Sequence, residues 1–309
     1  MVDAFGQLVK KRPACEVPLS PNNMRINRLS NSTLLALFFL AGCSTIDREA
    51  STMDLMSFNI RYGLADDDSN SWNYRCNLVF EVLKNHDAAI VGLQEALDFQ
   101  IEEILAEIPA YATIGVGREA DGGGEYSAIL YSKKEFELLG NDTFWLSNTP
   151  GEPSASWGNN LFRICTWALF RSRANDREFY VYNTHFDHRS EASREEGARL
   201  IATRIASREH ATTPFILMGD FNAGEDSIPI GILMNQKGKA RMVDTFRLIH
   251  PEESNTGTFG AWVGKTDGEK IDYIFADARI DVMDAAIVRD HANGRYPSDH
   301  YPITARLRF

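Results

Sequence analysis

Six short stretches of this 309-residue chain each set a carboxylate, carboxamide or imidazole directly after an apolar run. In chain order they are Ser57-Phe58-Asn59, Leu93-Gln94-Glu95, Asn183-Thr184-His185-Phe186, Gly219-Asp220-Phe221-Asn222-Ala223, Ile271-Asp272-Tyr273-Ile274 and Ser298-Asp299-His300. Carboxylate and amide oxygens without paired cysteines suit a hard divalent cation, Mg²⁺ or Mn²⁺, rather than zinc. Two histidines among them can carry protons and donate to a phosphoryl oxygen. Hydrolysis of a phosphodiester needs an activated water, a cation to absorb charge on the phosphate, and donors aimed at the non-bridging oxygens. All three are available in this set.

Each residue alone has a structural reading. Asn59 could cap a turn, Glu95 could favour a helix N-terminus, and Asp220 with Asn222 could form an Asx-turn. Asp272 could be a solvated edge residue, His185 a satisfied core histidine, and Asp299-His300 a local surface pair. Their joint occurrence argues for one shared site. Other polar groups carry less. Asp187, His188 and Arg189 suit a cleft wall or a solvated loop equally. Asp66-Asp67-Asp68 lacks the spacing and closing Glu of a calcium loop and reads as a charged turn. Trp72, Trp145, Trp157 and Trp262 read as core or loop packing before ring-stacking platforms. His86, His210, His250 and His291 have no supporting neighbours.

The elements that must hold these residues alternate between strand-like and helix-like patterns from Met53 onward, without repeats. Strands are expected at 53–60, 88–93, 126–131, 164–170, 179–183, 215–218 and 271–275. Helices are expected at about 75–85, over the turns carrying Leu97, Ile101, Ile104, Leu105 and Ile108, and at 191–210. This is an α/β domain with functional groups at strand ends, where backbone ladders hold ligands to the tolerance metal chemistry needs. No P-loop is present, since Gly122-Gly123-Gly124 lacks the following Lys and Ser/Thr, and no Gly-x-Ser-x-Gly elbow occurs.

A hydrophobic fraction of 44% and a charged fraction of 24% are those of a globular protein. The net charge of −11 argues against a strong non-specific nucleic-acid binder, yet acidic residues that hold cations lower the same total. Of the 4 cysteines, Cys165 reads as a buried small hydrophobe, with a Cys76–Cys165 disulfide the less favoured alternative.

Together the six motifs resemble the deoxyribonuclease-I-like endonuclease/exonuclease/phosphatase superfamily, over essentially 53–309. The resemblance implies a four-layer α/β sandwich, with two mixed β-sheets packed face to face and helices outside. It implies Glu95 as principal ligand of Mg²⁺ or Mn²⁺, supported by Asn59 and by Asp299. Asp220 would orient or deprotonate the attacking water and Asn222 would hold water or phosphate. His300, oriented by Asp272, would hydrogen-bond the scissile phosphate. His185 would be the second histidine, paired with Glu125 at the start of a strand, and Arg163 would contact phosphate. The Gly-Asp-Phe-Asn-Ala run departs from the Asn-Tyr-Arg pattern of inositol-polyphosphate 5-phosphatases, and Lys270-Ile271-Asp272-Tyr273 replaces their Trp-Cys-Asp-Arg motif. The match is closer to deadenylase-like and secreted bacterial members.

The expected activity is a phosphodiesterase or phosphatase, with nucleic acid or nucleotide ahead of lipid or sugar phosphate. The alternatives are a sphingomyelinase-like phospholipid phosphodiesterase, a sugar or inositol phosphatase, and a surface binding module without activity. The intact site set argues against the last. No protein partner is indicated.

The N-terminal region points to export. Arg25 and Arg28 precede the apolar run Leu34-Leu35-Ala36-Leu37-Phe38-Phe39-Leu40, which is too short to span a bilayer. Leu40-Ala41-Gly42-Cys43 resembles a bacterial lipobox, which implies acylation of Cys43, and Ser44 suits outer-membrane sorting. The expected organisation is an extension or start-site artefact at 1–23, a lipoprotein signal at 24–42, a tether at 43–52 and the catalytic domain at 53–309. The expected location is the bacterial cell envelope.

Overall fold

The computed structural model describes residues 52–309, so the extension, the signal, Cys43 and nearly all of the tether lie outside the described residues. The elements in chain order are β1 (Thr52–Asn59), α1 (Trp72–His86), β2 (Ile90–Gln94), α2 (Asp98–Glu107), β3 (Tyr111–Ile114), β4 (Ile129–Ser132), β5 (Phe136–Trp145), β6 (Ile164–Ser172), β7 (Glu178–His185), α3 (Glu191–Ala206), β8 (Phe215–Asp220), α4 (Ile228–Met234), β9 (Met242–Asp244), α5 (Thr245–Ile249), β10 (Asp272–Asp277), β11 (Asp281–Ile287) and β12 (Ile303–Arg308). They form two six-stranded sheets, ordered β11-β12-β1-β2-β4-β3 and β5-β6-β7-β8-β10-β9.

Each sheet contains one parallel pair, β1–β2 and β7–β8, and is otherwise antiparallel. The parallel pairs arise because α1 and α3 carry the chain back across the sheet, as a parallel connection requires. Three apolar clusters account for the expected four layers. Leu55, Ile90, Val181, Ile216, Met218 and Ile303 fill the space between the sheets. Met56, Phe58, Val91 and Leu93 turn outward to meet Val79, Ile101 and Ile104 of α1 and α2. Phe215, Leu217, Tyr273 and Phe275 turn outward to meet Ile201 and Ile205 of α3. Central strands are buried on both faces, which is why they read as continuous apolar runs.

Several boundaries differ from the sequence reading. β1 starts at Thr52, and helix α3 stops at Ala206, where Ser207 hydroxyl and amide both turn back to the Thr203 carbonyl. The strand expected at 126–131 is laddered only from Ile129, because Tyr126 makes single bridges to Ala96 and Gly117 instead. Strands β3, β5, β9, β11 and β12 were not expected. β5 and β11 are edge strands with exposed polar positions and a register irregularity, so neither shows a clean period. Cys165 is a free, fully buried thiol, so it forms no disulfide with Cys76; it packs against β7 and the α3 layer.

The sheets are pinned to each other by a buried carboxamide pair. Asn183 of β7 donates to the carbonyls of Leu93 (2.9 Å) and Ala128 (2.8 Å) in the opposite sheet, and accepts from Gln94 Nε2 at 2.7 Å. This contact needs close approach at Gly92, where an added Cβ would lie 2.6 Å from Met218 Sδ and 2.8 Å from Asn183 Oδ1. Gly92→Ala should therefore destabilise the fold by about 1–3 kcal/mol, the cost of overpacking a well-filled core. Denaturant unfolding with both sheets monitored checks this, and an unchanged midpoint would show that the intersheet spacing is not set here.

Candidate active site

Register gathers the site at one end of the molecule. Asn59 pairs with Gln94 at the last rung of β1–β2, and His185 pairs with Asp220 at the last rung of β7–β8. Asp272 opens the antiparallel β10 opposite Asp220. Asp299 and His300 precede β12, and the Asp299 carbonyl accepts from the Gly260 and Ala261 amides. After the strand ends the chain turns sharply: Arg61 (φ 61°), Glu95 (φ 58°) and Asn222 (φ 46°) all adopt left-handed backbone. Such strained non-glycine residues cluster at functional sites. Gly219 (φ 147°) brings β8 so near β7 that a Cβ would lie 2.0 Å from the Thr184 carbonyl oxygen.

These ends surround a cleft of about 470 Å³ lined by Arg61, Glu95, Arg163, His185, Asp220 and His300, among others. Asp220 is at its centre, 1% exposed. Its Oδ2 accepts from Asn59 Nδ2 at 2.9 Å and lies 3.5 Å from His185 Nε2 and 3.7 Å from His300 Nε2. Its Oδ1 accepts from the Asn222 amide at 2.9 Å. Burial, then the charge of Asp272, pushes the Asp220 carboxyl up to about 7.

The two histidines are driven in opposite directions. His300 Nδ1 donates to Asp272 Oδ2 at 2.9 Å. Burial disfavours its charge, but Asp272 and Asp220 outweigh burial and hold the imidazole well above its usual range. His185 is held well below that range by burial and then by Arg163 and Arg118. The Asn222 carboxamide, which also donates to the Phe186 carbonyl, lies 3.0 Å from His185 Nε2. Glu125 Oε2 is 3.9 Å from His185 Nδ1, beyond hydrogen-bonding distance, and instead accepts from Arg118 Nη1 at 2.9 Å. The expected Glu125–His185 pair is thus a near neighbour, not a hydrogen bond, because Arg118 competes for the same oxygen. Glu125 also precedes a bridge rather than a strand. Arg163 lies in the cleft, held by Asp187 (3.4 Å) and His188 Nδ1 (3.0 Å). His188, exposed on the loop after β7, thus also lines the cleft.

Two donor sets could hold a cation. The first is Glu95, Asp299 and Asn59. Glu95 Oε1 accepts from Asn59 Nδ2 at 3.1 Å and Oε2 from the Tyr62 amide at 2.8 Å. Asn59 Oδ1 accepts only the Arg61 amide among its described contacts. Each of these oxygens keeps a lone pair for a ligand. Asp299 is pushed upward chiefly by burial, and further by the negative charge of Glu95, against His300, Arg61 and Arg75. Arg61 approaches only to 3.9 Å from Glu95 and 3.8 Å from Asp299, and is itself clamped by two 2.9 Å bonds to Asp67. An all-oxygen, anionic, sulfur-free set fits Mg²⁺ or Mn²⁺. The second set, Asp220, Asp272 and His300, has ligand atoms within 4.8 Å of one another. There the Asp272 oxygen and the His300 Nδ1 are already spent on each other, so the first set fits a cation better.

The sequence reading missed several residues. Arg61 follows Asn59 by two positions, which was the available signal. Arg75, from α1, is buried and donates to the carbonyls of Ile60 (2.7 Å) and Pro297 (2.9 Å), tying the Asn59 loop to the Asp299 loop. Nothing in its local sequence marks it. Asp67 is more than a charged turn, since it clamps Arg61. None of the four tryptophans considered lines the cleft; its aromatic walls are Tyr62 and Phe259, the latter edge-on to His300 at 5.1 Å.

Residues 56–300 match the model of the Endonuclease/Exonuclease/phosphatase family. A solved family protein from Bacteroides vulgatus is 33% identical, with TM-score 0.74 over 83% of this chain and 98% of that one. One from Bacteroides thetaiotaomicron is 29% identical, with TM-score 0.77 over 84% and 99%. A mannosyl-6-phosphatase of Bacteroides thetaiotaomicron is also 29% identical, with TM-score 0.76 over 83% and 100%.

The opposed histidines give a direct check. At pH 7 in chelator, nuclear magnetic resonance of labelled imidazoles should show His300 cationic and His185 neutral. Asp272→Asn should lower the His300 titration markedly and leave His185 neutral. Two histidines titrating together near pH 6.5 would contradict this arrangement.

Proposed function

Because the chain belongs to the endonuclease/exonuclease/phosphatase family, we propose that it is a divalent-metal-dependent hydrolase of phosphate esters. The observation that carries this reading is Asp220, buried at the floor of the cleft with its Oδ2 3.5 Å from His185 Nε2 and 3.7 Å from His300 Nε2, beside the oxygens of Glu95, Asn59 and Asp299. A divalent cation held by Glu95, Asn59 and Asp299 would absorb charge on the phosphate. Asp220 takes the proton of the attacking water, and a carboxylate near neutrality is suited to that work. His300, kept cationic and oriented by Asp272, donates to a phosphoryl oxygen as its charge grows. Asn222 and His185 bracket the other side of Asp220, and Arg163 supplies a fixed cation for the phosphate.

The similarity to a mannosyl-6-phosphatase, across nearly the whole of both domains, supports a sugar phosphate as the substrate class. The net charge of −11 supports it over nucleic acid, which the sequence alone had placed first. For location, the Leu40-Ala41-Gly42-Cys43 stretch supports export with acylation of Cys43 and residence in the cell envelope.

Turnover of a sugar 6-phosphate or a model diester should require Mg²⁺ or Mn²⁺ and vanish in EDTA. Asp220→Ala and His300→Ala should each lower it at least about a hundredfold, the scale of lost acid–base or charge stabilisation. Calorimetry should show Glu95→Gln weakening Mn²⁺ binding and Asp272→Asn sparing it; the reverse would move the cation to the Asp220–Asp272–His300 cluster. Full activity in EDTA would end the metal reading. Separately, Cys43→Ser should move the protein from membrane to soluble fractions, and an unchanged distribution would end the anchor reading.

A further inference from the structure

The topology separates the site from the tether. Asn59, at one end of β1, is in the cleft, whereas Thr52, at the other end, pairs with Arg308 at the opposite pole. Seven steps of extended strand place these ends about 23 Å apart. The β4–β5 and β6–β7 turns reach the same opposite pole, since Phe136 pairs with Ser172 there. These turns expose Lys133, Lys134, Arg173 and Arg177, with Glu135 and Asp176 between them. This is a local excess of positive charge on a chain of net charge −11. Beside it is an apolar pocket of about 310 Å³ walled by Met53, Phe136, Phe179 and Phe309, with Thr52 on its rim.

We propose that this pole is the membrane-facing surface of the protein, so that the cleft points away from the bilayer and receives its phosphate ester from solution. The proposal rests on the reading that Cys43 is acylated, and it deepens the substrate assignment by removing lipid of the anchoring leaflet. Cys43 precedes Thr52 by nine residues, which span at most about 30 Å fully extended. A domain of this length is roughly 45 Å across. The tether is shorter than the domain is wide, so bringing the cleft end down to the headgroups would need it drawn out along nearly the whole flank. It can seat the Thr52 pole on them. Cations on the two turns then lie within a Debye length of anionic lipid, where they attract it. Among the described residues no helix is long and apolar enough to cross a membrane.

The experiment uses the full, acylated chain in vesicles of phosphatidylethanolamine and phosphatidylglycerol that carry a headgroup-attached spin label. A fluorophore is placed on Ala174→Cys at the pole, or on Val263→Cys, which is 78% exposed on the loop beside the cleft. A contact quencher on the headgroups does not reach a label held about 23 Å higher, so quenching at 174 should exceed that at 263 at least about threefold. Equal quenching, or more at 263, overturns the orientation. Omitting phosphatidylglycerol should reduce quenching at 174 by about half, because attraction to the four cations is lost; no change overturns their role. If the acylated chain does not float with vesicles, or Cys43→Ser floats as well as it does, the anchor premise and the orientation fall together. None of these readouts uses turnover, so failure of the hydrolase reading would show separately in the activity assays.

Discussion

The site is built around negative charge that repels itself. Glu95, Asp220 and Asp299 line one cleft with Asp272 directly behind His300, and Asp220 and Asp272 are each only 1% exposed. Burial raises the cost of each charge, and proximity raises it again. Such an arrangement persists only if the surrounding frame fixes the separation of the carboxylates and supplies donors to each. Backbone ladders fix it within a sheet, through the rungs joining Asn59 to Gln94 and His185 to Asp220 to Asp272. Between sheets, Asn183 and Gln94 fix it. Asn59 reaches from one sheet to Asp220 of the other at 2.9 Å, a bond that exists only because the sheets are held at that spacing.

Counter-charges are placed with the same economy. Asp272 and Asp220 outweigh burial and hold the His300 imidazole well above its usual range, while burial, and then Arg163 and Arg118, hold His185 well below it. Two residues of one type thus acquire different chemistry from their neighbours alone, the pattern by which one site holds both a proton donor and an acceptor. Arg61 could neutralise Glu95 and Asp299 directly, but Asp67 holds it back at nearly 4 Å.

The same strand direction that gathers the site also fixes its orientation. Both parallel pairs run toward the cleft, so the entry of the chain and its last strand residue share the opposite end. The cleft and the first described strand residue are thus separated by the length of a strand.

The sequence by itself determined the fold class and which chemistry-bearing side chains stand at the strand ends. Gly-Asp-Phe-Asn, Ile-Asp-Tyr-Ile and Ser-Asp-His stand after or at the start of apolar runs, and those runs are legible because central strands are buried on both faces. All six motifs converge on one cleft. What tertiary structure decided was partnership. That Glu125 bonds Arg118 instead of His185, that Arg75 ties two distant loops, and that His188 lines the cleft follow from contacts between residues far apart in the chain. Edge strands β5 and β11 escaped notice for a related reason, since half-exposed positions carry no clean hydrophobic period. Residue type and local pattern state which groups are available; only packing of the two sheets states which of them touch, and so which histidine carries the charge.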